Sequence, residues 1–239
     1  MSTTTTRPGQ DPIRVRPGLT GEIDNLTALL DEAFRQDPVS RWMFANVSRE
    51  GHDWAAHAAM LRVFTDWAVY CGHAQVAVSV PSGTPAADVE DQAHAVALWV
   101  PAGPSFPHSV PPRERQRPDF TNLQGWPRLK FDQFAELSRT AHPMQVDHQY
   151  LPFVAVAPPW QGHGVGTRLL RHRLDQLDAE RVPAYLEASN PDSARLYKRL
   201  GFRPIGEIRL PAGPPLTPMW RDPTGFPVIR VPAAPAAAP

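Results

Sequence analysis

A glycine-rich turn between an apolar run and an amphipathic helix constrains this chain more than any other stretch. Residues 153–156, Phe-Val-Ala-Val, are bounded by prolines, which is typical of a buried strand. Pro158 and Pro159 cannot extend a sheet ladder, so the strand must end there. Glycines follow at 162, 164 and 166, and the next apolar residues recur at helical spacing: Val165, Leu169, Leu170, Leu174 and Leu177. The stretch predicts a strand, a glycine turn and a helix start.

A helix that starts after such a turn is suited to binding an anion. The first turn of a helix has unpaired backbone N–H groups and a partial positive charge, and glycines let a phosphate approach them. Two common phosphate-binding motifs do not fit. The dinucleotide-binding pattern needs glycine where Thr167 stands. The phosphate-binding loop of nucleotide hydrolases needs Gly-Lys-Ser/Thr, but here Gly166 is followed by Thr167 and Arg168, with no lysine. The spacing that fits is Gln161-x-x-Gly164-x-Gly166.

Composition and charge argue against several classes of function. Lys+Arg and Asp+Glu both total 24, so there is no basic excess for nucleic acid or an anionic membrane. The one cysteine, Cys71, cannot form an internal disulfide. No apolar run reaches the length of a membrane span, and the Thr-rich N-terminus lacks the apolar centre of a signal peptide, so we expect a cytoplasmic protein. The nine histidines show no paired ligand spacing, and we expect no metal site.

Hydrophobic periodicity and proline punctuation divide the rest of the chain into helices and strands. Before the glycine turn, the sequence predicts an edge strand at 13–16 and a helix that follows Thr20 and ends at Asp37-Pro38. An aromatic connector over 39–46 and a helix from Ser48 to about Tyr70 come next. Strands at 74–80 and 93–100 are predicted to form an antiparallel hairpin, and Pro101 ends the second of them. After the glycine turn, a strand is predicted at 184–188, then a helix capped by Asn190 with Pro191 at its first position, then strands at 202–210 and 216–221.

We expect one folded domain over residues 12–222. Residues 1–11 are Thr-rich and polar and should form a disordered leader, and residues 223–239 are dominated by Pro and Ala and should form a tail. Residues 102–148 are the least regular part, with a helix predicted over 126–140. We interpret this part as an insertion that lies over a cleft.

A second motif follows the predicted strand at 184–188. It has the form Asn-x-x-Ser-x-x-Leu-Tyr-x-x-x-Gly-Phe and runs from Asn190 to Phe202. Together with the glycine turn, it resembles the two signatures of the GNAT superfamily of N-acetyltransferases, in the order in which that family has them. Within the superfamily the chain is similar to the puromycin N-acetyltransferase branch, through segments 96–101, 183–188, 196–202 and 210–214.

The resemblance implies a fold and an activity. The fold would be α/β with α+β character, the GNAT acyltransferase fold, in which a central, mixed and mostly antiparallel sheet splays between the fourth and fifth strands and is flanked by helices. The activity would be transfer of an acetyl group from acetyl-CoA to a primary amine of a small molecule, such as an antibiotic or another xenobiotic or metabolite. The amine would attack the thioester directly.

The resemblance also implies roles for individual residues. Tyr197 would be the general acid, and Glu187 is the candidate base, with His148, Tyr150 or a water as rivals. One aromatic residue of the first helix and two on the connector after it, with Tyr150, would bind the amine: Phe34, Trp42, Phe44 and Tyr150. The coenzyme would contact Val154, Ala155, Val156, Gln161, Gly162, His163, Gly164, Val165, Gly166, Thr167, Asn190, Ser193 and Tyr197.

Two other functions fit the same motifs. The chain could acetylate protein N-termini or lysines, or it could be a catalytically silent module that binds acyl-CoA. The near-neutral charge and the aromatic residues near Trp42 favour a small-molecule acceptor. We expect no nucleic-acid or membrane partner, and either a monomer or a homodimer.

Overall fold

The computed structural model describes residues 12–45, 51–79, 92–106, 120 and 124–225. The predicted leader, the loop after the strand at 74–80, most of the proline-rich part of the insertion and most of the tail lie outside these residues. Eight strands form a mixed sheet in the spatial order β1-β2-β3-β4-β5-β8-β6, with β7 paired to β8. Their bounds are β1 Ile13–Pro17, β2 Ala74–Ser79, β3 Ala93–Ala102, β4 His148–Val156, β5 Ala184–Ala188, β6 Arg203–Pro204, β7 Ile208–Arg209 and β8 Pro215–Arg221.

Six α-helices flank the sheet in the described part of the chain. They are α1 Ile23–Phe34, α2 Pro38–Met43, α3 Trp54–Tyr70, α4 Gly125–Ala141, α5 Val165–Glu180 and α6 Pro191–Arg199. Two short 3-10 helices, Thr20–Glu22 and Pro158–Trp160, precede α1 and follow β4. The helix after the glycine turn and the helix after Asn190 begin where the sequence predicts.

The central strand β3 divides the core into two layers. Val96 and Leu98 pack into an apolar cluster with helices α1 and α3, whereas Ala95, Ala97 and Trp99 pack into a second cluster with α5. Successive side chains of a strand point to opposite faces, so a strand covered on both faces must be apolar throughout. This requirement explains why residues 95–102 of β3 are all apolar. The predicted arrangement of a mixed sheet flanked by helices is confirmed.

The sheet is parallel at one junction, between β4 and β5. All other strand pairs are antiparallel. The parallel pairing joins Gln149 to Ala184 and Tyr150 to Tyr185, while β4 continues to Val156 and β5 to Ala188. The two strands therefore part after a short contact. This parting is the predicted splay.

The structure corrects the predicted helix boundaries in the N-terminal half. Residues 38–43 were predicted within an aromatic connector but form helix α2, because the Asp37 carboxylate accepts hydrogen bonds from Val39 N and Ser40 N and Pro38 sits in the first turn. The next described helix begins at Trp54 with Asp53 as its cap, and Ser48, where the helix was predicted to begin, lies outside the described residues. Thr20 lies in a 3-10 turn and does not cap α1.

The structure also corrects two strand predictions. Strand β3 continues through Pro101 to Ala102, because β2 pairs with β3 only as far as Leu98 and the missing N–H of Pro101 costs no bond to β2. The predicted strand at 202–210 is two short strands, and Ile205 between them donates its N–H to Pro218 O of β8.

An ion pair between helix α5 and strand β8 fastens the C-terminal end of the sheet. The Arg221 guanidinium donates to both Asp178 carboxylate oxygens at 2.7 Å and to Leu200 O at 3.0 Å. Thr224 N also donates to Asp178. The Arg221 side chain is 9% exposed and that of Asp178 is 22% exposed. The hydrogen bonds from Arg221 lower the pKa of Asp178 to about 2.

We predict that Asp178→Asn lowers the free energy of unfolding at neutral pH by about 2 kcal/mol. A carboxyl with a lowered folded-state pKa stabilises the fold above its unfolded pKa, and this contribution is lost as the pH falls towards the folded value of about 2. The difference between variant and parent should therefore shrink on acidification, as measured by urea unfolding at a series of pH values.

Glu136→Gln is the matched control, because Glu136 pairs with Arg139 on an exposed face of α4. An exposed pair of this kind contributes little to stability. Equal losses in the two variants, or a difference that does not change with pH, would contradict the role of Asp178.

Candidate active site

A cavity of about 930 Å³ occupies the gap where β4 and β5 part. Its walls are built from β4, the end of β5, the start of α6 and the helices α1, α2, α3 and α4. On the side of β4 that faces β3, the ladder is complete from Phe153 to Val156. On the other side the pairing with β5 ends at Tyr150, so the backbone of β4 from Leu151 onwards faces the gap. An extended ligand could pair with it as an added strand.

The three glycines of the turn serve two different needs. Gly162 and Gly164 both have φ of +76°, and nothing would contact a Cβ added to either, so backbone conformation is what requires glycine there. Gly166 has ordinary helical geometry, but a Cβ would lie 3.1 Å from Val156 Cγ2. The first turn of α5 therefore lies close against the end of β4, with open space in front of the turn. This arrangement fits a diphosphate on the backbone N–H groups of the helix start.

The structure divides the predicted coenzyme residues between the two sides of the turn. The main cavity is lined by Val154, Ala155, Val156, Gln161, Gly162, Gly166, Asn190, Ser193 and Tyr197. A second cavity of about 670 Å³ is lined by His163, Gly164, Val165 and Thr167, together with β1 and the basic residues Arg168, Arg171 and His172. The Gln161 amide donates to Val156 O at 3.0 Å and the His163 ring contacts Gln161 O at 2.7 Å, so both side chains order the turn itself.

Helix α6 presents Tyr197 to the cavity from the side of β5. Asn190 caps this helix by accepting a hydrogen bond from Ser193 N at 2.9 Å, and Pro191 fills its first position. Tyr197 is 8% exposed. Burial raises the pKa of its hydroxyl, and the negative charge of Asp37 raises it further. The hydroxyl therefore remains protonated at neutral pH and can donate a proton or a hydrogen bond.

Glu187 lies at the cavity wall and accepts hydrogen bonds from three hydroxyl groups. Tyr150 donates to one carboxylate oxygen at 2.6 Å, and Tyr185 and Ser138 donate to the other, Tyr185 at 3.0 Å. Burial raises the pKa of Glu187, and the three donors partly oppose this. A raised pKa brings a carboxylate closer to the neutral range, where a general base works best.

The rival bases occupy different positions. Tyr150 lines the cavity, but its hydroxyl donates a hydrogen bond to Glu187. Burial raises the pKa of this hydroxyl well above its ordinary value. His148 is 2% exposed, and its Nδ1 donates to Val146 O at 2.6 Å while its Nε2 faces His142 Nε2 at 2.8 Å. Burial lowers the pKa of His148. His148 is not among the residues that line the cavity, so it is placed less well than Glu187.

Asp37 is a second, half-buried carboxylate at the cavity, and the sequence analysis did not identify it. Its Oδ1 accepts hydrogen bonds from Val39 N at 2.9 Å and Ser40 N at 3.1 Å, and its Oδ2 accepts one from the Ser189 hydroxyl. Burial raises the pKa of Asp37. The Asp-Pro pair was interpreted only as the end of the preceding helix. As a helix cap it was also a signal for a carboxylate held in a fixed position.

Part of the cavity wall is apolar and aromatic. Phe34 and Phe44 line the cavity, together with Met43, Met60, Phe64, Phe131, Phe134 and Phe153. The Phe153 ring contacts Phe34 at a centroid distance of 5.5 Å and Phe64 at 4.8 Å, both edge to face. These side chains form the aromatic wall of the cavity.

Trp42 was predicted to line the cavity with these residues, but it is not among the residues of the cavity wall. Its indole N–H donates a hydrogen bond to Pro211 O at 3.1 Å, and the Lys130 ammonium lies over its ring, 4.3 Å from the centroid. The same ammonium lies 4.9 Å from the Trp126 ring. Lys130 belongs to α4 and is 9% exposed. The tryptophan therefore holds α4 in place, and α4 contributes Phe131 and Phe134 to the cavity.

No group of three or more His, Cys, Asp or Glu side chains in the described part of the chain could hold a metal ion. None of the helices described there is both long and apolar enough to cross a membrane.

Comparison with known proteins finds a similarity to one family over the residues around this cavity. Residues 121–202 match the model of the acetyltransferase (GNAT) family. Similar solved structures include a histone acetyltransferase HPA2 and related acetyltransferase from Corynebacterium glutamicum, at 25% identity and a TM-score of 0.56 over 91% of this chain and 99% of that one. A mosquito arylalkylamine N-acetyltransferase like 5b is similar at 17% identity and a TM-score of 0.58, over 88% of this chain and 100% of that one.

A third similar structure contains the coenzyme. It is Arabidopsis thaliana NAA60 in complex with acetyl-CoA, at 14% identity and a TM-score of 0.53, over 88% of this chain and 99% of that one. The matched residues 121–202 include β4, the glycine turn, α5, β5 and α6, which build one side of the cavity. Over these residues the chain is similar to the GNAT family of acetyltransferases.

Proposed function

We propose that this protein transfers an acetyl group from acetyl-CoA to the primary amine of a small molecule with an apolar or aromatic body. The single observation that supports this most is the cavity between β4 and β5. It combines an open strand edge, a glycine turn, two half-buried carboxylates and an aromatic wall. The resemblance to the puromycin N-acetyltransferase branch is compatible with such an acceptor and stays a prediction.

The coenzyme would occupy the side of the cavity formed by β4 and the glycine turn. The backbone of Val154 and Val156 would pair with the pantetheine arm, and the N–H groups of 164–167 would bind the diphosphate. Asn190 and Ser193, at the start of α6, would lie near the thioester. This arrangement is supported by the unpaired edge of β4 and by the space in front of Gly162 and Gly164.

The transfer needs a base for the amine and a donor for the departing thiolate. An alkyl amine is mostly protonated at neutral pH, so a carboxylate or a water that it orients must take a proton before attack. Glu187 and Asp37 can both do this, because each lines the cavity and each has a raised pKa. Tyr197 would protonate the thiolate or donate a hydrogen bond to it.

The shape and chemistry of the acceptor end favour an apolar amine. A monoamine needs one carboxylate near the thioester and apolar surface for its body, which is what the phenylalanine wall offers. A peptide acceptor would be favoured by polar partners along a groove, whereas the aromatic wall offers mainly phenylalanine and methionine side chains. Protein acetylation therefore remains the second candidate function.

An acceptor panel tests the proposal. Free CoA release would be measured with phenylalkylamines, polyamines and peptides as acceptors. We expect turnover with phenylalkylamines to exceed turnover with the others. Acetylated peptide as the dominant product would favour protein acetylation instead. CoA binding by calorimetry without turnover on any amine would favour a silent acyl-CoA-binding module.

We predict that Gly164→Ala weakens CoA binding about tenfold, equivalent to about 1.4 kcal/mol. An alanine resists the φ of +76° at this position, so the turn must shift and its N–H groups lose their direction. Gly72→Ala is the control, because Gly72 has a φ of +74° and equally open surroundings but lies in the turn after α3. Calorimetry that gives equal CoA affinities for the two variants would contradict binding at the glycine turn.

We predict that Tyr197→Phe lowers kcat about 100-fold. The substitution removes the proton donor for the thiolate but keeps the ring that packs against Phe202 at a centroid distance of 5.9 Å. CoA affinity should change little, and this is checked by calorimetry on the same preparation. An unchanged kcat would remove Tyr197 from the mechanism.

A matched pair of serine variants should identify the base. Ser138 donates to Glu187 and Ser189 donates to Asp37, and each bond favours the ionised carboxylate. Removing the donor raises the pKa of its partner, so the acidic limb of kcat/KM should move to higher pH by about one unit. If Glu187 is the base, Ser138→Ala shifts the limb and Ser189→Ala does not. If Asp37 is the base, the result is reversed, and no shift in either variant excludes both carboxylates.

A further inference from the structure

A second chain of hydrogen-bonded side chains lies beside the cavity and takes no part in the transfer described above. His57 of α3 is fully buried, with Nδ1 at 2.7 Å from Asp31 Oδ1 and Nε2 at 3.2 Å from the Ser40 hydroxyl. Asp31 belongs to α1 and Ser40 to α2, so three different helices bring the groups together. Ser40 is one of the residues that line the cavity.

The neighbours of this chain fix the direction of its hydrogen bonds. The second oxygen of Asp31 accepts two hydrogen bonds from the Arg35 guanidinium, at 2.6 and 3.0 Å. The carboxylate is therefore an acceptor, and the proton of the neutral ring lies on His57 Nδ1. The Nε2 lone pair then faces Ser40, whose hydroxyl donates to it. Burial lowers the pKa of His57, which keeps the ring neutral and able to accept a proton. An acid, a histidine and a serine in this order activate the serine hydroxyl in hydrolases.

Ser40 lies close to the end of the cavity where the thioester is proposed. Its backbone N–H donates to Asp37 Oδ1 at 3.1 Å. The other oxygen of Asp37 accepts a hydrogen bond from Ser189, the residue before Asn190. Two short contacts therefore connect Ser40 to the start of α6, which would face the thiol end of the coenzyme.

We propose that Ser40 accepts the acyl group of a bound acyl-CoA when no amine is present, so that the protein is also a slow acyl-CoA hydrolase. This inference rests on the coenzyme site of the proposed function. The Ser40 oxygen bonds to the thioester carbonyl carbon while its proton passes to His57 Nε2. The C–S bond breaks, and the thiolate leaves with the proton from His57.

Water completes the cycle. It attacks the carbonyl carbon of the Ser40 ester and gives a proton to His57 Nε2. The bond between that carbon and the Ser40 oxygen breaks, the oxygen takes the proton back, and the carboxylic acid is released. Asp31 holds the imidazole in its tautomer and stabilises the imidazolium that forms in each half of the cycle.

The chain contains a matched control for this test. The Ser79 hydroxyl and His94 Nε2 are 2.8 Å apart and buried, and the His94 ring is stacked on Trp160 at a centroid distance of 3.7 Å. Neither Ser79 nor His94 is among the residues that line the main cavity. Ser79→Ala thus removes a buried serine bonded to a histidine without changing the cavity wall.

The experiment follows acetyl-CoA incubated with the protein in the absence of any amine. We expect Ser40→Ala to lower the amine-independent release of CoA about 100-fold, and Ser79→Ala to keep the parent rate. A fluorophosphonate probe and acetyl-CoA should each label the unsubstituted protein at Ser40, as located by peptide mass mapping. This second measurement does not depend on the folding of any variant.

The inference fails if the unsubstituted protein carries no label at Ser40, or if Ser40→Ala releases CoA at the parent rate. Either result would leave amine-dependent transfer standing, since that activity is measured separately with an acceptor. Conversely, Ser40 labelling without transfer to any amine would support this inference and contradict the proposed acceptor chemistry.

Discussion

The structure depends on the parting of β4 and β5. Two adjacent strands in the middle of a sheet normally satisfy each other's backbone groups, and a buried group left unpaired costs about 1–3 kcal/mol. Here the pairing ends after two residue pairs, and β4 runs on to Val156 beside a cavity. The open edge makes the site a place for an extended ligand. The glycine turn, the capped helix α6 and the aromatic wall all surround this one gap.

Two carboxylates line the gap, and their surroundings differ. Glu187 is held by hydroxyl groups from β4, β5 and α4, so its position depends on the sheet and on α4 together. Asp37 is held by the backbone of α2 and by Ser189. Burial raises the pKa of both groups. The cavity wall thus carries two carboxylates of similar character, each fixed by a different set of elements.

Local sequence signals were sufficient for most of the fold and for the elements on one side of the cavity. The glycine turn, the helix from Val165 and the cap at Asn190 each depend on neighbouring residues alone, so they could be predicted. Asp37, Ser138 and Lys130 could not be assigned, since their partners Ser189, Glu187 and Trp42 lie far away in sequence. Trp42 was predicted to line the cavity for the same reason. Whether its ring faces the cavity depends on the packing of α4, which cannot be predicted from neighbouring residues.

Helix α4 has a consequence for how such a protein can evolve. The ammonium of Lys130 between two indole rings fixes the helix from outside, whereas Phe131 and Phe134 face inward. One residue of α4 thus holds the helix in place, while its neighbours line the cavity. Substitution of Phe131 and Phe134 could change the shape of the cavity, while Lys130 and the glycine turn stay as they are.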